Sequence, residues 1–440
     1  MNHFRDNNRK HTLLWNCLLL VLTLILCSNN SFAARSKSKA KQQAKEVQKL
    51  SKGSQTFSIA LYKALLPSQK GNILFSPYSI LSAFALSYSG AKGKTARELR
   101  RSFRYVYSPK RFPAIFARLR KGLIPPKGPN SPILHQANRL WLQKGLKVQK
   151  SYSQLLKQMF GATWAFVDFA KKPKKAASQI NQWVGQQTQG MIQHIADPRT
   201  LDASTSSVLV NAIYFQGFWS SKFKKRHTKP LPFYITRRTY VKAPMMYQEA
   251  RFLYYYNRRM KVLELPYKGD RYGMYLFLPR KANTLKRLER RLTARRLQRW
   301  IRKLRRTKIE VYLPRFELEQ QFSLIGVLKK MGIKRAFSRK ANFTGMFTKT
   351  GDFISDVEHK ARMIVNEKGT RASAVTMIRK MKNGYASHSK EFKANRPFFF
   401  LILDQKTGVI LFMGRVKRLK GKVHILKKTS KKKRKHIKRH

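Results

Sequence analysis

Acidic residues are scarce. The 440-residue chain holds 19 Asp plus Glu against 95 Lys plus Arg, a formal charge of +76. Charged residues together make up 26%, an ordinary share for a soluble protein, so the sign rather than the amount is abnormal. Such a field attracts nucleic acids, anionic glycans, lipopolysaccharide or acidic proteins, and self-repulsion opposes compaction; it selects no fold. Cysteine is scarcer still, with only Cys17 and Cys27. Both lie within an apolar run, Leu13 to Cys27, that is too short for a bilayer span. Arg5, Arg9 and Lys10 precede this run and the small residues Ser31 and Ala33 follow it, so 1–33 reads as a secretory signal cleaved after Ala33. The rival, a lipoprotein anchor at Cys27, is disfavoured by the bulky Leu26 before it. Cleavage would remove both cysteines, leaving no disulfide, thiolate metal site or cysteine nucleophile. The ten histidines show no H-E-x-x-H or Cys/His spacing, so neither a metal nor another cofactor is expected. Gly93-Lys94-Thr95 imitates the end of a phosphate-binding loop, but Tyr88 stands where its first Gly belongs. No G-x-S-x-G elbow is present, and the chain is not expected to be an enzyme.

What is present suffices for a large core: hydrophobic residues make up 42% of the chain and aromatics 12%. Residues 34–53, rich in Lys, Ser and Gln, read as a solvated basic linker. From 54 to 416 helical and strand patterns alternate without a Pro/Gly-rich break, which implies one domain. Residues 417–440 carry thirteen Lys or Arg and no acid, and read as a disordered basic tail. Met274 to Leu278, ending at Pro279, predicts a buried strand. Pro397 to Leu403 and Val409 to Val416, joined through Gly408, predict a hairpin. Leucines 285, 288 and 292, then Leu297, Ile301 and Leu304, predict two helices with Thr293 as N-cap of the second. Between two predicted strand regions, Val375 to Glu391 lacks periodicity. A loop this long inside a compact domain points to function. The residues before it, Thr370, Ala372, Ser373, Ala374 and Thr376, are small enough to slide into a packed sheet.

Five ordered motifs then coincide. They are Asn72-Ile73-Leu74-Phe75-Ser76-Pro77-Tyr78-Ser79-Ile80, Asn211-Ala212-Ile213-Tyr214-Phe215-Gln216-Gly217-Phe218-Trp219 and Leu263-Glu264-Leu265-Pro266-Tyr267, followed by Val365-Asn366-Glu367-Lys368-Gly369-Thr370 and Phe392-Lys393-Ala394-Asn395-Arg396-Pro397-Phe398. Over about 52–416 the chain resembles the serpins. The resemblance implies an α+β fold with three β-sheets, about nine helices and an exposed reactive-centre loop. It implies a polar "shutter" of Asn72, Ser76, Ser79, Asn211 and His359 beneath the central sheet. A buried polar network has few satisfied arrangements, which suits a gate. It places Trp219 at the "breach", where the loop enters the sheet, with Arg315 as basic partner of the hinge acid Glu367. Gly369, Thr370, Ala372, Ala374 and Thr376 fall in the hinge, where Arg371 departs from the usual acid; alternation turns Arg371 outward on insertion.

Counting fourteen residues from Gly369 places the scissile bond between Asn383 and Gly384, whereas trypsin-like chemistry favours a cut after Lys382. The implied function is irreversible inhibition of a secreted serine or cysteine protease: acyl-enzyme formation, then loop insertion that drags and distorts the protease. Two basic clusters, Lys110 to Lys121 and Lys286 to Lys308, resemble serpin surfaces that bind heparin-like glycans. On the second, Arg295, Arg296, Arg299, Arg302 and Lys303 are the candidate residues for a heparin-like glycan or for DNA without sequence specificity. The expected particle is a secreted or periplasmic monomer. The alternative function is a non-inhibitory serpin that binds polyanions or has a structural role.

Overall fold

The computed structural model describes residues 37–124, 128, 131–160, 164–349, 351–370 and 390–426. The chain divides into a unit ending at Lys49 and a second from Leu50 to His440. In the first, residues 37–49 are helical. The sequence predicts a solvated basic linker over 34–53. Its polar composition is right, but Lys, Gln, Glu and Ala are also good helix formers.

The second unit begins with helix α1, residues 50–65, whose Leu50, Phe57, Leu61, Tyr62 and Leu65 are buried. The other helices are α2 (Pro77–Gly90), α3 (Gly93–Phe103), α4 (Phe112–Leu123), α5 (Lys150–Leu155), α6 (Pro173–Gln187), α7 (Leu285–Arg291), α8 (Ala294–Arg302) and α9 (Ile325–Lys330). Six strands make one sheet: β2 (Ile133–Gln143), β3 (Trp164–Val167), β4 (Ser207–Phe218), β10 (Phe316–Ser323), β11 (Asp356–Asn366) and β12 (Gly369–Thr370). Its order is β10-β11-β12-β4-β2-β3. The second sheet runs β1 (Ile73–Phe75), β15 (Ile410–Val416), β14 (Phe398–Asp404), β8 (Tyr272–Pro279), β7 (Met260–Pro266), β6 (Thr239–Tyr256), β9 (Arg305–Pro314) and β13 (Lys390–Lys393). Two more strands, β5 (Lys229–Tyr234) and β16 (Val423–Ile425), pair with β6.

The α+β fold is the expected one, and hydrogen bonding links the described strands into two networks because two of its sheets are joined. The reason is β6, which is 18 residues long. Its first half pairs with β5, its middle with β9 and its end with β7, so one strand joins what would be two separate sheets.

The core lies between the sheets. Phe215 of β4 meets Tyr267, Tyr272 and Phe412, and Phe316 meets Phe398 and Phe400. Seven consecutive residues of β14 are buried, the mark of a strand covered on both faces. Its hairpin with β15 is antiparallel, as the sequence predicts. Helix α2 passes through the interior with nearly every residue buried. Ser76 caps it by accepting from the Ser79 N–H, and Pro77 supplies the first turn with a fixed φ. Helix α6 covers the outer face of the six-stranded sheet, burying Ile180 and Val184 with Val208, Val210 and Ala212 of β4. The intervening Leu209, Asn211 and Ile213 project to the opposite face, by the two-residue period of a strand.

The predicted pair α7 and α8 is present, and the Thr293 hydroxyl accepts from the Arg296 N–H. The basic tail is ordered at its start: β16 pairs antiparallel with Thr239–Val241. The Asn72 side chain carries it there, accepting from the N–H groups of Lys417 and Arg418 at 2.7 and 3.0 Å. Composition averaged over the tail hides the apolar Val423 and Ile425. Among the described residues, no helix is long and apolar enough to cross a membrane.

Candidate functional site

The six-stranded sheet has a gap. Strands β4 and β11 run parallel and paired from Asp356/Val208 to Arg362/Tyr214, then separate. Into the opening goes β12: Gly369 pairs with Phe218 and with Asn366, and Thr370 with Gly217 and with Val365. Only glycine suits the first position. A Cβ on Gly369 would sit 1.9 Å from the Gly217 carbonyl oxygen, and its φ is +152°. Thr370 is fully buried, and its hydroxyl shares a 2.7 Å hydrogen bond with the Tyr267 hydroxyl.

Around the opening the predicted breach residues converge. The buried Trp219 donates from Nε1 to the Asn366 carbonyl at 2.9 Å and stacks on Tyr267, with ring centroids 4.6 Å apart. The turn between β11 and β12 is pinned by its backbone, since Trp219 N–H donates to Lys368 O and Phe223 N–H to Glu367 O. Glu367 is buried and receives Arg315 through Nε, at 2.7 Å, and through its terminal nitrogen; the Thr228 hydroxyl donates at 2.7 Å. Burial pushes this carboxyl up, but the hydrogen bonds from Arg315 and Thr228 outweigh it and hold it below its usual range. A carboxylate that stays charged keeps the hinge tied to β10 through Arg315, which directly precedes that strand.

Below the opening, three polar residues form a row across three strands. The register places Asn138 of β2 opposite Asn211 of β4, and Asn211 opposite His359 of β11. Asn211 donates from Nδ2 to Asn138 and to Ser79, and its Oδ1 meets His359 Nδ1. His359 Nε2 accepts from the Ser76 N–H at 3.1 Å, so the hydrogen resides on Nδ1. Burial lowers its pKa from the ordinary 6.5 to about 3, and the ring is neutral at physiological pH. Ser76 Oγ donates to Leu411 O and accepts from Ser79 N–H, tying the row to both α2 and β15. The parallel segment of β4 and β11 is thus latched by side chains as well as by backbone.

Asn72 is not part of this network. It is only half-buried, and its side chain holds the Lys417–Arg418 backbone instead, because it precedes β1 rather than entering α2. Sequence reasoning missed Asn138 and Gln136, whose Nε2 donates to Ser79 Oγ at 3.1 Å. Their signal was two amides at alternate positions of one strand. Ala372, Ala374, Thr376, Lys382, Asn383 and Gly384 lie outside the described residues, as does the segment 1–33.

On α8 only Leu297 is buried, and Arg295, Arg296, Arg299, Arg302 and Lys303 are all exposed. On α4, Arg118 and Arg120 are half-buried while Lys121 is exposed. Among the described residues, no group of three or more His, Cys, Asp or Glu could hold a metal ion.

A six-stranded sheet with a part-open seam, a short strand entering it and a polar latch beneath defines the class of α+β fold. Residues 52–419 match the family described as Serpin (serine protease inhibitor). Antithrombin-III of Mus musculus is 37% identical over 385 residues, covering 84% of this chain and 82% of that protein. Leukocyte elastase inhibitor A of Rattus norvegicus is 36% identical over 390 residues, covering 84% of this chain and 99% of that protein. The crystal structure of Serpin48, a highly specific serpin of the insect Tenebrio molitor, superposes with a TM-score of 0.76 at 31% identity, covering 85% of this chain and 99% of that one. The chain belongs to the serpin family.

Proposed function

We propose that this serpin is secreted and inhibits serine or cysteine proteases irreversibly, as a suicide substrate whose cleaved loop inserts between β4 and β11. One observation carries the reading: Gly369 and Thr370 already occupy the top of that seam, so the next residues have a slot aligned with their direction of travel. The names of the relatives, an antithrombin and an elastase inhibitor, support protease inhibition. In this mechanism the protease attacks the loop and forms an acyl-enzyme. Insertion adds a central strand, releases stored strain and pulls the protease away before water can deacylate it. No side chain of the serpin performs chemistry. The reactive bond is Asn383–Gly384 by position, with Lys382 the alternative for a trypsin-like target. The exposed arginine face of α8 and the overall charge favour a polyanion partner, a heparin-like glycan or DNA.

The test is incubation of the full chain with a panel of serine and cysteine proteases, read as an SDS-resistant complex. Thr370→Arg should abolish that complex and leave the loop cleaved as a substrate, because a guanidinium cannot be buried in Thr370's place without a penalty of several kcal/mol. Equal complex formation by wild type and Thr370→Arg would overturn insertion. Cleavage without complex for every protease would favour a non-inhibitory, polyanion-binding serpin.

A further inference from the structure

A cleft of about 630 Å³ opens between the β6–β7 turn, the end of β8 and the two helices α7 and α8. Its floor is apolar: Met260, Leu288 and Pro279 are buried, and Trp300 is half-buried. Its walls are not. Nine of its sixteen lining residues are Arg or Lys and none is acidic, so nothing within the cleft neutralises them. Glu289 is the one acid between Lys286 and Lys308, and it points away. Its carboxylate accepts from Arg415 at 2.8 Å and from the Tyr62 hydroxyl at 2.7 Å, deep in the core.

The crowding acts on the arginines themselves. The Arg291 guanidinium is held below its usual range, first by Arg259, then by partial loss of water and by Arg296, Arg287 and Arg290. These arginines come from separate elements whose positions are fixed. Asn257 Oδ1 accepts from the N–H groups of Arg259 and Met260 at 2.8 and 3.0 Å, which sets the turn. The Arg280 N–H donates to the Arg259 carbonyl at 3.0 Å and ties the end of β8 to it. Arg296 donates to the Arg291 carbonyl at 3.0 Å and locks α8 to the end of α7. Helix α8 also divides its cations: Arg296 and Arg299 line the cleft, and Arg295 and Arg302 do not. A linear glycan can lie along the outward row. A concave wall of guanidiniums instead suits several anionic groups clustered on a small scaffold, each able to take a bidentate pair of N–H donors.

We propose that this cleft binds a compact polyanion, with several phosphate groups on one small scaffold, through Arg259, Arg287, Arg291 and Arg296. The proposal rests on the polyanion reading above and narrows it to one site and one ligand shape. It does not require protease inhibition.

The test is calorimetric titration of the full chain with inositol hexakisphosphate at near-physiological salt, beside a heparin oligosaccharide. Arg259→Ser/Arg291→Ser and Arg295→Ser/Arg302→Ser remove the same charge from two places, so bulk electrostatics cancels between them. The cleft predicts one hexakisphosphate per chain, weakened tenfold or more by the first pair and less than threefold by the second. Arg259→Lys/Arg291→Lys keeps the charge and guards against misfolding; it should weaken binding by an intermediate factor because the planar fork is lost. Equal weakening by both serine pairs, or several hexakisphosphates per chain, would overturn the site. Heparin binding through Arg295 and Arg302 without stoichiometric hexakisphosphate binding would overturn the cleft alone, and failure of both ligands would remove the polyanion reading as well. Phosphatidylcholine vesicles doped with a bisphosphorylated glycolipid separate the sources: capture reversed by hexakisphosphate assigns a lipid headgroup, and no capture with retained hexakisphosphate binding assigns a free ligand.

Discussion

His359 is the buried end of the polar row that crosses β2, β4 and β11. It is neutral because burial drives its pKa to about 3, and both ring nitrogens are engaged. The unfolded chain takes up a proton near the ordinary 6.5, whereas the folded chain does not until about 3. Its contribution to stability is therefore complete above about 6.5 and is lost as pH falls toward 3, at up to about 1.4 kcal/mol per pH unit. Glu358 on the same strand has the opposite sign. Burial, then Asp356, raises its pKa to about 7, so its contribution is present at low pH and lost as pH rises through 7. Comparing variants separates the two. His359→Asn should cost about 1–3 kcal/mol at pH 7.5 by leaving partners unmatched. That deficit should shrink as pH falls from 6.5 to 4.5, because asparagine has no proton to gain. Urea midpoints measured across this range give the answer; parallel pH profiles would mean that His359 is not buried neutral.

At the level of elements, the seam between β4 and β11 is closed at one end by hydrogen bonds and wedged at the other by β12. If the proposed insertion holds, cleaving the chain between residues 379 and 384 should allow a further strand to enter this sheet. Backbone pairing along a new central strand should raise the melting midpoint by about 10 °C or more, read by calorimetry before and after proteolysis. An unchanged midpoint would mean that the strand does not enter. The parts of this arrangement that were legible in the sequence share a property: their signal is local. Continuous apolar runs gave β8 and β14, and a capping threonine between two leucine patterns gave α8. The serpin motifs gave the Trp219, Glu367 and His359 neighbourhoods. What escaped depends on distant pairing. Asn138 joins the latch only because β2 registers with β4, Asn72 leaves it because the chain returns 345 residues later at Lys417, and β6 fuses two sheets by its length. The strand β16 was hidden by its charged neighbours.

For the molecule as a whole, a net charge of +76 means that association with any polyanion is driven largely by release of counterions. A plot of log affinity for heparin or DNA against log salt should be linear, losing about 0.7–0.9 in slope for each phosphate contact removed in the DNA case. Neutralising Arg295, Arg296, Arg299, Arg302 and Lys303 should flatten that plot more than deleting 427–440. Abolition by the deletion alone would exclude the α8 face. The boundary chosen for such a deletion matters because of β16. Strand β6 has β5 on one flank at Tyr240–Val241 and β16 on the other. An unpaired strand edge invites a strand from elsewhere. The strand β16 is thus a plug held in its own socket. A molecule shortened before Val423 keeps the socket and loses the plug, and the plug of an intact neighbour fits it, so mixed populations of long and short chains would interlock in pairs.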